Sequence, residues 1–194
     1  MQIPPINLQP PMEGLQPMPL VGTEIMQIQL TAQALVNSSK MRNLNGPQVL
    51  PLIQGKSEAL MFFIGPIGGN TQLNFENRFM PAVKGFCTDS SAKTLQPLTQ
   101  AAMLLQNDKN LRDLTPPAAK QATLEALIYF IHDKKTAGDS EQSGFLSTLS
   151  NLGGAADKTT ASALQVIAHH AEHGRKDLVS QEIDGLINYL QDNP

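Results

Sequence analysis

The chain of 194 residues is long enough for one compact domain, but only 16% of its residues are charged, against about a quarter in most globular proteins. Its 14 basic and 17 acidic residues give a net charge of -3, too weak a positive field to hold a nucleic acid. The single cysteine, Cys87, excludes an internal disulfide framework and fits a reducing compartment, so we expect a soluble, cytoplasmic protein.

Residues 1–22 contain six of the 14 prolines and a single charged residue, Glu13. Proline fixes φ and lacks a backbone donor, so this segment cannot form a regular helix and is expected to be a tail. Two interpretations remain open, a disordered leader or an extended segment that lies in a groove of its own chain or of a partner. In the second interpretation the partner-binding side chains are Ile3, Ile6, Leu8, Met12, Leu15, Met18 and Leu20.

The segment after Glu24 combines two periodicities. Ile28, Leu30 and Ala32 alternate with polar residues, which predicts a half-buried strand. Met26, Leu30 and Ala34 lie at helical spacing, so a short helix remains the alternative.

Two further segments, 58–64 and 71–77, form the best predicted strand pair. The connection Gly65-Pro66-Ile67-Gly68-Gly69-Asn70 contains residues that tolerate positive φ, as a hairpin loop requires. The first segment is apolar on both faces of a strand, which predicts a central strand covered on both sides. Its run 59–64 is too short to cross a bilayer, so we expect no membrane insertion. Phe62 and Phe63 are predicted to contact a partner.

After Cys87 the pattern predicts about five helices. The first covers Leu95 to Gln106, and the second begins at Thr115-Pro116, a capping hydroxyl followed by proline. The third follows Ser140, and the fourth begins at a capping Asp157 and ends at Gly174. The last contains the apolar stripe Val179, Ile183, Leu186, Ile187 and Leu190.

These elements predict an α+β fold, in which a small antiparallel sheet packs on a C-terminal array of about five helices. The expected organisation is a Pro-rich tail over residues 1–22, a β-containing region over 23–88 and a helical region over 89–194. We expect residues 23–194 to form one compact body.

The sequence His169-His170-Ala171-Glu172-His173 is the one local concentration of side chains that can bind a metal. On a helix His169 and His173 lie one turn apart on the same face, a spacing that can hold a transition metal. No third ligand is fixed by the pattern, and polar residues are ordinary at a helix end. A solvated helix terminus is therefore the expectation, with His169 and His173 as weak metal candidates and no cofactor.

A catalytic role for Cys87 requires a histidine that removes the thiol proton. His132 or the later histidines can supply one only through folding, and no flanking motif supports it. A lone cysteine is more often a small core residue.

The absence of a complete catalytic motif, together with the Pro-rich tail and the eight methionines, predicts a non-catalytic adaptor or chaperone-like subunit that binds other proteins. By analogy of size and architecture, a bacterial secretion system is one assembly that uses such subunits. The alternatives are a translocated effector or hydrolase that uses Cys87 with a histidine, and a metal-binding protein that uses His169 and His173.

Overall fold

The computed structural model describes residues 20–38 and 46–194, and within these ranges the chain is helical without a single strand. Short 3-10 segments at Gly65–Ile67 and Lys109–Arg112 and π-helical turns at Phe75–Phe79 and Phe130–Lys134 interrupt or extend the α-helices. The α-helices are α1 (Leu20–Asn37), α2 (Gly46–Ile64), α3 (Gly69–Asn74), α4 (Met80–Thr88), α5 (Ala92–Gln106), α6 (Pro116–Tyr129), α7 (Asp139–Gly153), α8 (Lys158–Glu172) and α9 (Lys176–Asp192).

Helix α2 is the central element, because it contacts α1, α4, α6 and α7. Helix α5 packs on α1 and α4, α8 packs on α7, and α9 packs on α8 and α6. One hydrophobic cluster connects these helices from Val21 in α1 to Leu190 in α9. Among the described residues, none of the helices combines the length and the apolar character needed to span a membrane.

The predicted sheet is wrong, and with it the α+β fold class. Residues 58–64 are the last two turns of α2, and residues 59–64 are apolar all round because this central helix is covered on several sides. Residues 71–77 belong to α3 and the π-helical turn after it. There Phe75 and Phe79 are buried with stacked rings 5.4 Å apart. A spacing of four residues places both side chains on one helix face.

The connection expected to form a hairpin joins two helices instead. After the 3-10 turn, Gly68 and Gly69 adopt φ values of 66° and 56°, which side chains with a Cβ rarely tolerate. The glycines were therefore a correct signal for positive φ, but the chain they redirect is helical on both sides.

In the segment after Glu24 the helical alternative is correct. The buried residues of α1 include Val21, Ile25, Ile28, Ala32 and Leu35, whose alternating spacings of three and four residues define one face of a helix. The alternation of Ile28, Leu30 and Ala32 was misleading, because Leu30 points away from the core and is 54% exposed.

The C-terminal helices begin and end close to the predicted residues. The Thr115 hydroxyl accepts a hydrogen bond from the Ala118 amide at 3.4 Å, and the Asp157 carboxylate accepts one from the Thr160 amide at 2.7 Å. These are the capping bonds that such residues make at helix N-termini. Gly174 ends α8 with a φ of 69°, as expected of a glycine after a helix.

Two glycines allow α2 and α7 to approach each other closely. A Cβ at Gly144 would lie 2.6 Å from the backbone oxygen of Leu52, and a Cβ at Gly55 would overlap the backbone oxygen of Glu141. Both glycines are buried, and the atoms they face are backbone atoms that cannot rotate away. The two helices can therefore lie this close together only because glycine has no Cβ at these two positions.

Charged residues cross the same interface. Lys134, only 5% exposed, forms ion pairs with Glu58 of α2 and Glu141 of α7. Burial alone would lower the pKa of Lys134, but its hydrogen bonds to Glu141 and Glu58 outweigh that effect and raise it. The ammonium is consequently the stable form inside the protein.

A second polar group ties α1 to the same two helices. The Glu24 carboxylate, 2% exposed, lies 3.6 Å from the Lys56 ammonium and accepts hydrogen bonds from Asn151 at 2.6 Å and Thr148 at 3.4 Å. Each oxygen of the buried carboxylate therefore has a partner.

We predict that Gly55→Ala and Gly144→Ala each lower the free energy of unfolding by about 1–3 kcal/mol, the usual cost of inserting a methyl group into a packed core. Urea unfolding measures the change. Gly185→Ala is the matched control, because Gly185 lies in α9 with open space where a Cβ would be. Alanine there should raise stability by about 0.5–1 kcal/mol. Equal effects at all three positions would contradict the close-packing argument.

We predict that Lys134→Met lowers the free energy of unfolding by about 3–5 kcal/mol, because Glu58 and Glu141 are left without their cation. Lys176→Met is the control, since Lys176 and Asp139 form an ion pair with side chains 64% and 73% exposed, and it should change stability by less than about 0.5 kcal/mol.

The pH dependence of this loss follows from the raised pKa of Lys134. A group with a raised pKa in the folded state stabilises the fold fully below its unfolded pKa, about 10.4 for lysine, and loses that contribution as pH rises through the folded pKa. The stability difference between the wild type and Lys134→Met should therefore be constant around neutral pH and shrink above about pH 10.4. A difference that instead grew with alkaline pH would contradict the assignment.

Candidate functional site

The predicted partner-binding residues of the tail fall mostly outside the described part of the chain. This applies to Ile3, Ile6, Leu8, Met12, Leu15 and Met18. Leu20 is described, as the first residue of α1, and its side chain is 40% exposed. The helix thus begins two residues before the end predicted for the tail.

Phe62 and Phe63 both pack against the core of the protein. Phe63 is completely buried. The half-buried Phe62 packs against Tyr129, with ring centroids 5.2 Å apart, and against Phe145 at 6.2 Å. Their aromatic contacts stabilise the α2, α6 and α7 core. Phe63 has no exposed surface to offer a partner, whereas contact of the half-buried Phe62 with a partner stays a prediction.

Cys87 lies near the end of α4 with its Sγ atom 3.7 Å from the Leu50 carbonyl oxygen. Burial raises the pKa of the Cys87 thiol to about 11. At neutral pH the reactive thiolate is then on the order of one part in ten thousand. Both observations are typical of a small core residue, the more common role of a lone cysteine.

The histidines at the end of α8 share a surface. His169 and His173 are both exposed, and their ring centroids lie 4.4 Å apart. The ring of His170 is 6.0 Å from that of His169. Within residues 20–38 and 46–194, no group of three or more His, Cys, Asp and Glu side chains is arranged to hold a metal. The pair is thus brought together as predicted, without a third protein ligand from the described residues.

The outer face of α1 combines exposed apolar residues with an absence of charge. It carries Met26, Leu30 and Ala34 at intervals of four residues, so they form one stripe along the helix. Met26 is 38% exposed and Leu30 is 54% exposed. Glu24 is the one charged residue in α1, and it points inward to Lys56. The solvent side of this helix therefore has apolar and uncharged polar residues but no charge.

Helix α5 extends this surface. The Gln106 side chain donates a hydrogen bond to the Gln29 side chain at 3.1 Å, joining the two helices. Met103 precedes Gln106 by one helical turn and is 52% exposed. Met26 and Leu30 lie within one turn of Gln29. We call Met26, Leu30, Ala34 and Met103 the α1/α5 face.

Charged residues occur only toward the edges of the α1/α5 face within the described helices that form it. The one charge in α5, Lys93, lies ten residues from Met103, about 15 Å along the helix axis. Lys109 and Arg112 are exposed in the 3-10 helix after α5, and this 3-10 helix packs against α1. Asp108 and Asp113 flank this 3-10 helix at its two ends, so the surface has an apolar, uncharged centre and an edge of mixed charge.

Sequence reasoning named Met26, Leu30 and Ala34 as a possible helix stripe but did not place it on the surface. The signal was present, because the neighbouring residues Ile25, Ile28, Ala32 and Leu35 form a second and more apolar stripe. A helix with two apolar stripes can bury only one of them against a single layer. Met103 gave no comparable signal.

In comparisons of the chain with protein-family models, with curated proteins and with solved structures, no match was found.

Proposed function

We propose that this protein is a non-catalytic interaction subunit that binds another polypeptide through the α1/α5 face. The observation that carries the proposal is the exposure of Met26, Leu30 and Met103 on two adjacent helices whose shared outer surface lacks charge. Exposed apolar residues scattered singly are ordinary, but grouped ones indicate a contact surface.

The composition of the face supports this role. Protein interfaces are depleted of charged residues at their centre and enriched in methionine, with a polar rim that stays accessible to water. The centre of the α1/α5 face offers two methionines and a leucine among glutamines, and its rim offers Asp108, Lys109, Arg112 and Asp113. Methionine adapts its unbranched side chain to different partners, so such a face suits an adaptor.

The partner inferred from this chemistry is a polypeptide with apolar side chains at its centre and charged residues of both signs where it meets the rim of Asp108, Lys109, Arg112 and Asp113. Charge complementarity at a rim mainly sets orientation and rate of association, while the apolar centre supplies affinity. A cytoplasmic location, expected from the single cysteine, is part of the proposal.

The proposal does not extend to a role in a secretion system. The expectation of such a role depended on analogy with small α+β subunits, and the described chain contains no sheet. The chaperone-like role remains a form of the same proposal, because an apolar face with adaptable methionines can hold an extended segment of a partner.

The test compares four full-length baits in extracts of the native host: the wild type, Leu30→Glu, Met103→Glu and Val166→Glu. Val166 is the control, because it is 43% exposed on α8, a helix that packs on α7 and α9. We predict a partner that the wild type and Val166→Glu retain and that Leu30→Glu and Met103→Glu retain at least about tenfold less. A buried charge without a partner costs at least this much at an interface.

Circular dichroism and urea unfolding verify that the variants fold alike, as expected for exposed positions. The retained protein is then purified and its affinity measured with all four variants. The proposal is overturned if no protein shows the differential pattern. It is also overturned if the wild type alone is a dimer that Leu30→Glu dissociates, since the face would then be an interface between two copies.

A further inference from the structure

The end of helix α8 presents two imidazole rings toward solvent. His169 lies in the last turn, and His173 is the residue that follows the helix. Both side chains are exposed, and their ring centroids are 4.4 Å apart with the ring planes inclined by 43°. This arrangement is independent of the α1/α5 face and has no part in the proposed function.

A hydrogen bond fixes which nitrogen of His173 is free. Its Nδ1 atom lies 2.9 Å from the carbonyl oxygen of His169, and a carbonyl can only accept, so the neutral ring carries its proton on Nδ1. The Nε2 atom then keeps its lone pair. Histidines that bind metals almost always use this arrangement, in which the other ring nitrogen donates to a carbonyl or carboxylate and holds the ring in place.

The backbone around the pair is also fixed. The His173 amide donates to the carbonyls of His169 and His170, and the Arg175 amide donates to the His170 carbonyl at 3.0 Å. Gly174 makes this possible with its φ of 69°. The helix therefore ends in a closed turn instead of fraying, which reduces the entropy that the pair would lose on binding an ion.

The geometry points to a binding site for a divalent d-block cation at His169 and His173, and we propose Zn²⁺, Ni²⁺ or Cu²⁺ as its class of ligand. Two metal–nitrogen bonds of about 2.0–2.1 Å in a tetrahedral arrangement require nitrogens about 3.3 Å apart. The ring centroids of His169 and His173 lie 4.4 Å apart, which leaves a nitrogen of each ring within reach of a common ion.

The chemistry of the pair selects the kind of ion. Imidazole nitrogen suits zinc, copper and nickel, whereas magnesium and calcium prefer oxygen ligands. The negative end of the α8 dipole and the adjacent Glu172 carboxylate favour a cation at this position. Because the described residues provide no third ligand, water fills the remaining coordination positions.

The test uses untagged full-length protein and the metal alone, with isothermal titration calorimetry for Ni²⁺ and Zn²⁺. We expect one saturable site, and at least about tenfold weaker binding in His169→Ala and in His173→Ala, since loss of a ligand costs no less than loss of its outer hydrogen bond. The matched control is His132→Ala, because His132 is a single exposed histidine in the π-helical turn after α6, and it should bind as the wild type does.

A second measurement separates binding at the pair from a change in fold. In imidazole-selective NMR spectra, Zn²⁺ should shift the ring signals of His169 and His173 and leave those of His132 unchanged, while Mg²⁺ should shift none. The proposal is overturned if no saturable binding occurs, or if binding survives in both His169→Ala and His173→Ala.

Discussion

The close contact between α2 and α7 is the constraint on which the rest of the structure depends. At Gly55 and Gly144 the backbone of each helix lies against backbone of the other, with no room for a Cβ. Helix packing at this distance brings side chains on both flanks of the crossing into reach of each other. The remaining helices then pack around this pair, with α1, α4 and α6 on α2 and α8 on α7.

The buried charges follow from that contact. Glu58 and Glu141 come from the two helices, and they approach closely enough to share the Lys134 ammonium. Lys56 and Thr148, also from the two helices, meet the carboxylate of Glu24 from α1. Buried charged groups that lie close together are also found in catalytic sites, but each charge here has a partner of opposite sign. The clearest physical consequence of these pairs is that they fix the position of α2 along α7, because shifting either helix would leave a charge buried alone.

How far the fold can be predicted from the sequence depends on how each helix is covered. Helices α8 and α9 are amphipathic and carry cap residues such as Asp157 and Gly174, so their limits were predictable. Helix α2 is covered on several sides and lacks amphipathic periodicity, so its end was mistaken for a strand. A short apolar run does not distinguish a buried helix from a buried strand, because both hide every side chain.

The candidate site escaped sequence reasoning for a related reason. The type of an apolar residue does not reveal whether it lies at the surface or in the core. Only the packing of α1 decides which of its two apolar stripes is covered. Ile25, Ile28 and Ala32 are buried, while Met26 and Leu30 are left outside. Phe63 is the reverse case, because it was predicted to contact a partner and is completely buried in the core.

The distribution of charge links the interior to the proposed surface. The one carboxylate of helix α1 points inward and pairs with Lys56 and the neighbouring polar groups. The solvent side of the helix is therefore without charge. An exposed helix usually carries charged residues on that side, because they keep it soluble and discourage association. A helix that is anchored by an inward charge is ordered in the free protein, and under the proposed function the burial of its apolar outer stripe against another polypeptide would lower the free energy further. This combination is expected of an adaptor that folds before it meets its partner, because a segment that folds only on binding must also offset the entropy of ordering.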